Sequence, residues 1–123
     1  LEHAINLEYL DLDTNSVSDL KPIERLVTLR SLNLDSNEVT DISALAGLRN
    51  LDALSLFDNQ VADIQALVTN AENGGLGFND HVILDARHLS DKAVDVDIPL
   101  LEAEGVNVVL VVPESGDSES GSA

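Results

Sequence analysis

Hydrophobic and polar positions recur along this chain with a fixed period. Leu7, Leu10, Leu12, Asn15, Val17, Leu20, Ile23 and Leu26 reappear 22 positions on as Leu29, Leu32, Leu34, Asn37, Val39, Ile42, Leu45 and Leu48. A third copy follows as Leu51, Leu54, Leu56, Asn59, Val61, Ile64 and Leu67. Each copy contains two shorter periods. Leu10 and Leu12 alternate with Tyr9, Asp11 and Asp13, as in a strand with one buried face. Leu20, Ile23 and Leu26 are spaced by three, which fits a 3₁₀ or short helical return limb with its side chains stacked on one side. One coil of strand, turn and return limb cannot hide its own apolar face, whereas stacked coils bury it between layers. The pattern therefore predicts a solenoid with a parallel sheet, its strands about 4.8 Å apart. Counting back places Leu1 and Ala4 at the Ile23 and Leu26 positions, so the chain is expected to open inside a preceding repeat, with upstream repeats missing.

The fourth copy is out of step. The period puts the next strand leucine at position 76, yet the strand-like run is His81 to Asp85, with Val82 and Leu84 pointing inward, so six residues are inserted. Ile64 to Glu72 carries Ile64, Leu67, Val68 and Ala71 at helical spacing and ends at Asn73-Gly74-Gly75, which predicts a longer return helix with a glycine cap. Ser90-Asp91 offers a second helix start, with Val94, Ile98 and Leu101 on its apolar side, Pro99 expected to distort or split it, and Gly105 ending it before a strand-like stretch from Val106 to Val112. Repeats are thus expected over about 7–28, 29–50 and 51–79, a variant repeat and cap over 80–112, and a disordered acidic Ser/Gly tail over 113–123.

Two polar columns have structural explanations. Asn15, Asn37 and Asn59 follow the strand, where a buried amide can serve the backbone groups freed by the turn and form a ladder from coil to coil. Arg87 stands at the fourth such position and should end the ladder. Asp19, Asp41 and Asp63 precede the return limbs, where a carboxylate accepts from orphan N–H groups. The run Asp11-Leu12-Asp13-Thr14-Asn15 imitates the start of a calcium loop, but Ser16 replaces the required glycine and Pro22 stands where the closing glutamate belongs.

The stretches LEYLDLDTNSVSDLKPIERL, LRSLNLDSNEVTDISALAGL and LDALSLFDNQVADIQALVTN resemble leucine-rich repeat proteins of the 22-residue subclass, found in bacterial internalins and in eukaryotic phosphatase-regulating repeat proteins. The resemblance spans roughly residues 1–112 and implies an α/β solenoid, a right-handed coil with a parallel concave sheet, 3₁₀ or helical return limbs and a helical C-terminal cap. It also implies protein binding in place of any one catalytic activity. For a bacterial protein of the internalin kind it favours a secreted or cell-surface location.

Charge then narrows the partners. Six Lys and Arg against 23 Asp and Glu leave a net charge of −17. Such a chain repels nucleic-acid phosphates and anionic lipid surfaces, and no apolar run is long enough for membrane insertion. Cysteine is absent, which removes disulfides, thiolate metal sites and cysteine nucleophiles. Catalysis has little to work with. The histidines, His3, His81 and His88, lie in no nucleophile motif, and His81 is about 13 Å along a strand from Asp85. Neither a cofactor loop nor a metal set is recognisable, and the expectation is a protein that is not an enzyme. The outward strand positions remain. Tyr9, Asp11, Asp13, Asn33, Asp35, Ser55, Phe57, His81, Ile83 and Asp85 are the candidate partner-binding residues, an acidic face with aromatic anchors suited to a protein partner with a basic surface. Two other roles fit the same residues: a structural spacer in a larger bacterial surface protein, or the targeting arm of an enzyme whose catalytic domain lies elsewhere in a longer chain.

Overall fold

The computed structural model describes residues 6–112; the expected opening at Leu1 and Ala4 and the expected tail over 113–123 lie outside the described residues. Five strands, β1 (Tyr9–Asp11), β2 (Ser31–Asn33), β3 (Ala53–Leu56), β4 (His81–Asp85) and β5 (Asn107–Val111), form one parallel sheet in chain order. Leu10 pairs with Leu32 and Leu32 with Leu54, each one period on. Leu54 then pairs with Val82 and Val82 with Val108, so the six-residue insertion is absorbed between strands and the inward column stays continuous. Leu76, where the simple period would put a strand residue, is a buried loop residue before β4.

The return limbs differ in length. Lys21–Ile23 and Ser43–Gly47 are 3₁₀ segments, and the third limb is a helix, α1 (Gln65–Glu72). Before each limb an aspartate accepts from the N–H two residues on: Asp19 from Lys21 at 2.9 Å, Asp41 from Ser43 at 2.9 Å and Asp63 from Gln65 at 2.8 Å. Hydrogen bonding from Ser43 holds the Asp41 carboxyl below the usual carboxylate range. Between sheet and limbs, Leu29, Leu34, Leu45, Leu48, Ile64, Leu67 and Leu84 are shut off from solvent, and each such side chain stabilises the fold by about 1.5–3 kcal/mol. Leu7, Leu10 and Leu12, in the first coil, are only partly buried.

The asparagine column is the expected ladder. Asn37 Nδ2 donates to Leu34 O and Asp35 O in its own turn and to Leu12 O in the coil before, while its Oδ1 accepts from Val17 N–H. Asn59 repeats the set one coil on, with Leu34, Leu56, Phe57 and Val39. These bonds hold a turn that side chains ordinarily avoid. Thr14, Ser36 and Asp58, each just before the asparagine, have φ of 58°, 58° and 59°. A non-glycine residue in that region costs about 1–3 kcal/mol, and the amide of the next residue offsets it.

α1 ends as the sequence predicts, with Gly74 at φ +86°. The next glycine has a packing reason: a Cβ on Gly75 would fall 1.9 Å from Asn70 Oδ1. Asn70 was not singled out by its pattern, yet it is fully buried, donating to Leu45 O and Leu48 O and accepting from Leu76 N–H, so it fastens the inserted loop to the preceding limb.

The C-terminal segment departs from a simple helical cap. Residues 93–97 form a π-widened turn in which Ile98 N–H reaches Ala93 O, and α2 (Ile98–Ala103) follows with Pro99 in its first turn. Pro99 has no N–H to give Asp95, and the wider turn upstream accommodates that loss. The widening rotates the buried side. Val94, expected inside, is 43% exposed, and Ala93 and Asp97 are buried in its place. Lys92 Nζ lies 2.8 and 3.0 Å from the Asp97 carboxylate oxygens, so the buried charge is paired. The segment after Gly105 adds β5 to the sheet, with Leu110 at an inward register position but 43% exposed.

Candidate functional site

The sheet face away from the return limbs is organised by register. Tyr9, Ser31, Ala53, His81 and Asn107 share one column across β1 to β5, and Asp11, Asn33, Ser55, Ile83 and Val109 share the next. Beyond the strand ends the period sets Asp13 with Asp35 and Phe57. Tyr9 is 68% exposed, and Asp11, Asp13 and His81 are exposed; Asn33, Asp35, Ser55, Phe57 and Ile83 are half-buried.

Over the middle strands lies a hollow of ≈ 310 Å³, into which Asn33, Asp35, Ser55, His81 and Ile83 converge above a floor that includes Ser31 and Ala53. Ser31, Ala53 and Ser55 on β2 and β3 are small beside His81 and Ile83 on β4, which leaves the surface low there. Tyr9, Asp11, Asp13 and Phe57 lie outside the hollow's lining.

Asp85 requires a correction. Counted with Asp13 and Asp35 as an outward carboxylate, it is 5% exposed and its oxygens are occupied. Arg87 reaches it with Nε at 3.0 Å and a terminal nitrogen at 2.6 Å, and the backbone N–H groups of Arg87 and Asp58 donate to it at 3.0 and 3.1 Å. The bidentate guanidinium holds the Asp85 carboxyl below its usual range. The cause is the Asn-to-Arg change at position 87: the ladder ends, and an ion pair closes the turn in its place. Asp85 thus supports the turn and presents no free charge to a partner.

Three more polar side chains of the face, Asp11, Asn33 and Asp35, accept from the backbone. Asp11 Oδ1 accepts from Asp13 N–H at 3.1 Å, and Asn33 Oδ1 from Asp35 N–H at 2.9 Å. Asp35 Oδ1 accepts from Phe57 N–H at 2.9 Å and from the Ser55 hydroxyl. The Asp13 carboxyl is pushed up, first by its hydrogen bond to Asp11 and then by that neighbour's charge. Asp80, at the foot of β4, is pushed up by burial, against the N–H of Gly77 that favours its charged form. Arg30 and Asp52 pair at 2.9 Å with both side chains open to water, a contact of small energy.

Val109 belongs to this face and was missed, because residues 106–112 read as a separate closing strand. The run from Val106 to Val112 is apolar at every position but Asn107, so only the pairing of β5 with β4 continues the Ile83 column to Val109. Among the described residues no group of three or more His, Cys, Asp or Glu is arranged to hold a metal ion, and no helix is long and apolar enough to cross a membrane. A larger groove of ≈ 590 Å³ lies on the opposite side between the second and third return limbs, but the carboxylates lining it, Asp41 and Asp63, are the ones that cap those limbs.

An open parallel sheet backed by short return limbs, with an asparagine ladder between coils, defines a repeat solenoid. Residues 27–69 match the family description Leucine Rich repeats (2 copies). Among solved structures, internalin C2 from Listeria monocytogenes is similar, with a TM-score of 0.53 and 42% sequence identity over 54% of this chain and 29% of that one. This chain therefore spans less than a third of that protein's length. No curated protein matches the chain. Residues 27–69 thus carry leucine-rich repeats, and the chain has the solenoid fold of leucine-rich repeat proteins and is similar to an internalin over about half of its own length.

Proposed function

We propose that this chain is a non-enzymatic binding module that seats a protein partner with a basic surface on its acidic concave face. The observation that carries the reading is the register-aligned display of Tyr9, Asp11, Asp13, Phe57 and Ile83 on the sheet face that no return limb covers. Tyr and Phe side chains on such a surface are natural anchors, and surrounding carboxylates hasten the approach of a cationic partner.

The test compares proteins retained from the source organism and its surroundings by this chain and by a variant carrying Tyr9→Ser, Asp11→Asn and Phe57→Ser. Asn at position 11 keeps the acceptor for Asp13 N–H, so the turn is preserved. A partner held by the original and bound at least about 30-fold more weakly by the variant, the loss of about 2 kcal/mol expected of an anchor, supports the concave face. Equal retention by both chains refutes it and favours a spacer role.

A further inference from the structure

The concave face changes character along the solenoid. In the column that begins at Asp11, the side chains run from carboxylate on β1 through amide on β2 and hydroxyl on β3 to aliphatic on β4 and β5, where Ile83 and Val109 stand, the latter 47% exposed. The neighbouring positions change in the same direction: Asp13 and Asp35 are followed by Phe57, and the next carboxylate, Asp85, is buried under Arg87. At the other ends of the strands the order is less regular, with Asp52 engaged by Arg30 and Asp80 half-buried.

A uniformly basic partner would lay charge over Ile83 and Val109, where nothing answers it. A uniformly apolar one would strip water from Asp11 and Asp13 without pairing them, a cost of several kcal/mol for charged groups. Only a partner divided in the same sense avoids both losses.

We propose, resting on the binding reading above, that the partner presents an extended segment that crosses the strands and is bipartite, cationic over β1 and β2 and branched aliphatic over β4 and β5. Four strand spacings of about 4.8 Å make the crossing about 19 Å, the reach of roughly six extended residues. The hollow over Ser31, Ala53 and Ser55 receives a side chain from the middle of that segment.

The experiment titrates the isotopically labelled chain with a synthetic peptide carrying lysines at one end and leucines at the other, and with two controls in which serine replaces either the lysines or the leucines. A nitroxide is attached to each end of the first peptide in turn. The expected result is binding at least about tenfold tighter than either control, with the lysine-end label broadening amides of β1 and β2 and the leucine-end label those of β4 and β5. Val109→Thr, a β-branched replacement at an exposed position, should weaken the full peptide and leave the leucine-free control unchanged. If the leucine-free control binds equally well on the concave face, or the two labels act on the same strands or in reverse order, the bipartite inference is overturned while the acidic-face reading stands. Binding confined to the return-limb side, or no binding of any peptide up to about millimolar, also overturns the inference; the fate of the broader reading then rests on the retention experiment.

Discussion

Replacing Asn59 by alanine tests the claim that the coils are locked by a buried amide ladder. Asn59 is 2% exposed, and its side chain makes four hydrogen bonds: to Leu34 O at 2.8 Å, Phe57 O at 3.1 Å and Leu56 O at 3.3 Å, and from Val39 N–H at 2.9 Å. Two of these reach into the preceding coil. Alanine leaves the Val39 N–H without an acceptor, which costs about 1–3 kcal/mol in a buried site, and removes three carbonyl contacts worth about 0.5–1 kcal/mol each. The expected loss is about 3–5 kcal/mol, and the strained turn at Asp58 loses its support as well. Asn15 is the control, because it is exposed and its bonds, to Leu12 O at 2.9 Å and Asp13 O at 3.0 Å, stay within its own turn. Asn15→Ala should cost no more than about 1 kcal/mol. Urea unfolding followed by far-ultraviolet circular dichroism measures both; equal losses, or a loss under about 1 kcal/mol for Asn59→Ala, would refute the ladder as a source of stability.

Gly75→Ala should destabilise by about 2–4 kcal/mol, because the new methyl displaces buried Asn70 from its bonds, whereas Gly47→Ala, with nothing within 4 Å of the added carbon, should be neutral or slightly stabilising; thermal melts of the two variants compare them. The lowered Asp85 carboxyl contributes stability that is present above the unfolded value near about 3.9 and is lost as pH falls through the folded value, so Asp85→Asn should flatten the fall in stability below about pH 4. Asp80, raised by burial, acts in the opposite sense: Asp80→Asn should stabilise at neutral pH, with the gain shrinking as the pH is lowered toward about 4, and an unfolding series across pH that shows no such convergence would contradict that assignment.

The repeating part of the fold was legible because its physics repeats. Three copies of one leucine spacing specify the strand, the inward column and the return limb, and the asparagine and aspartate positions have the roles that turn and helix ends demand. Single-copy features were harder to read. Asp85 carries the same pattern as Asp13 and Asp35, and alternation tells which way a side chain points but not how deep it sits. The clue was Arg87 two residues on, close enough to claim the carboxylate. Asn70 interrupts an apolar helix side just before a glycine pair, a signal that a polar group is being used internally. Val94 was misplaced because a spacing of three and four assumes an undisturbed α-helix, and Pro99 removes that assumption. Val109 needed knowledge that the last strand joins the sheet, which depends on pairing with Ile83, far back in the chain, and leaves no local trace.

The parallel register gives the binding face a length that changes only in whole steps. Residues 29–50 present to their neighbours the same leucines and the same Asn37 amide that the adjoining copies present, so the coil before them and the coil after them offer one another matching surfaces. Duplicating that stretch would move Asp11 and Val109 apart by about 4.8 Å, and excising it would bring them together by as much, with the residues of β1, β4 and β5 unaltered. Reading distance on the partner is then independent of reading chemistry: one is set by the number of coils, the other by the residues at the two ends.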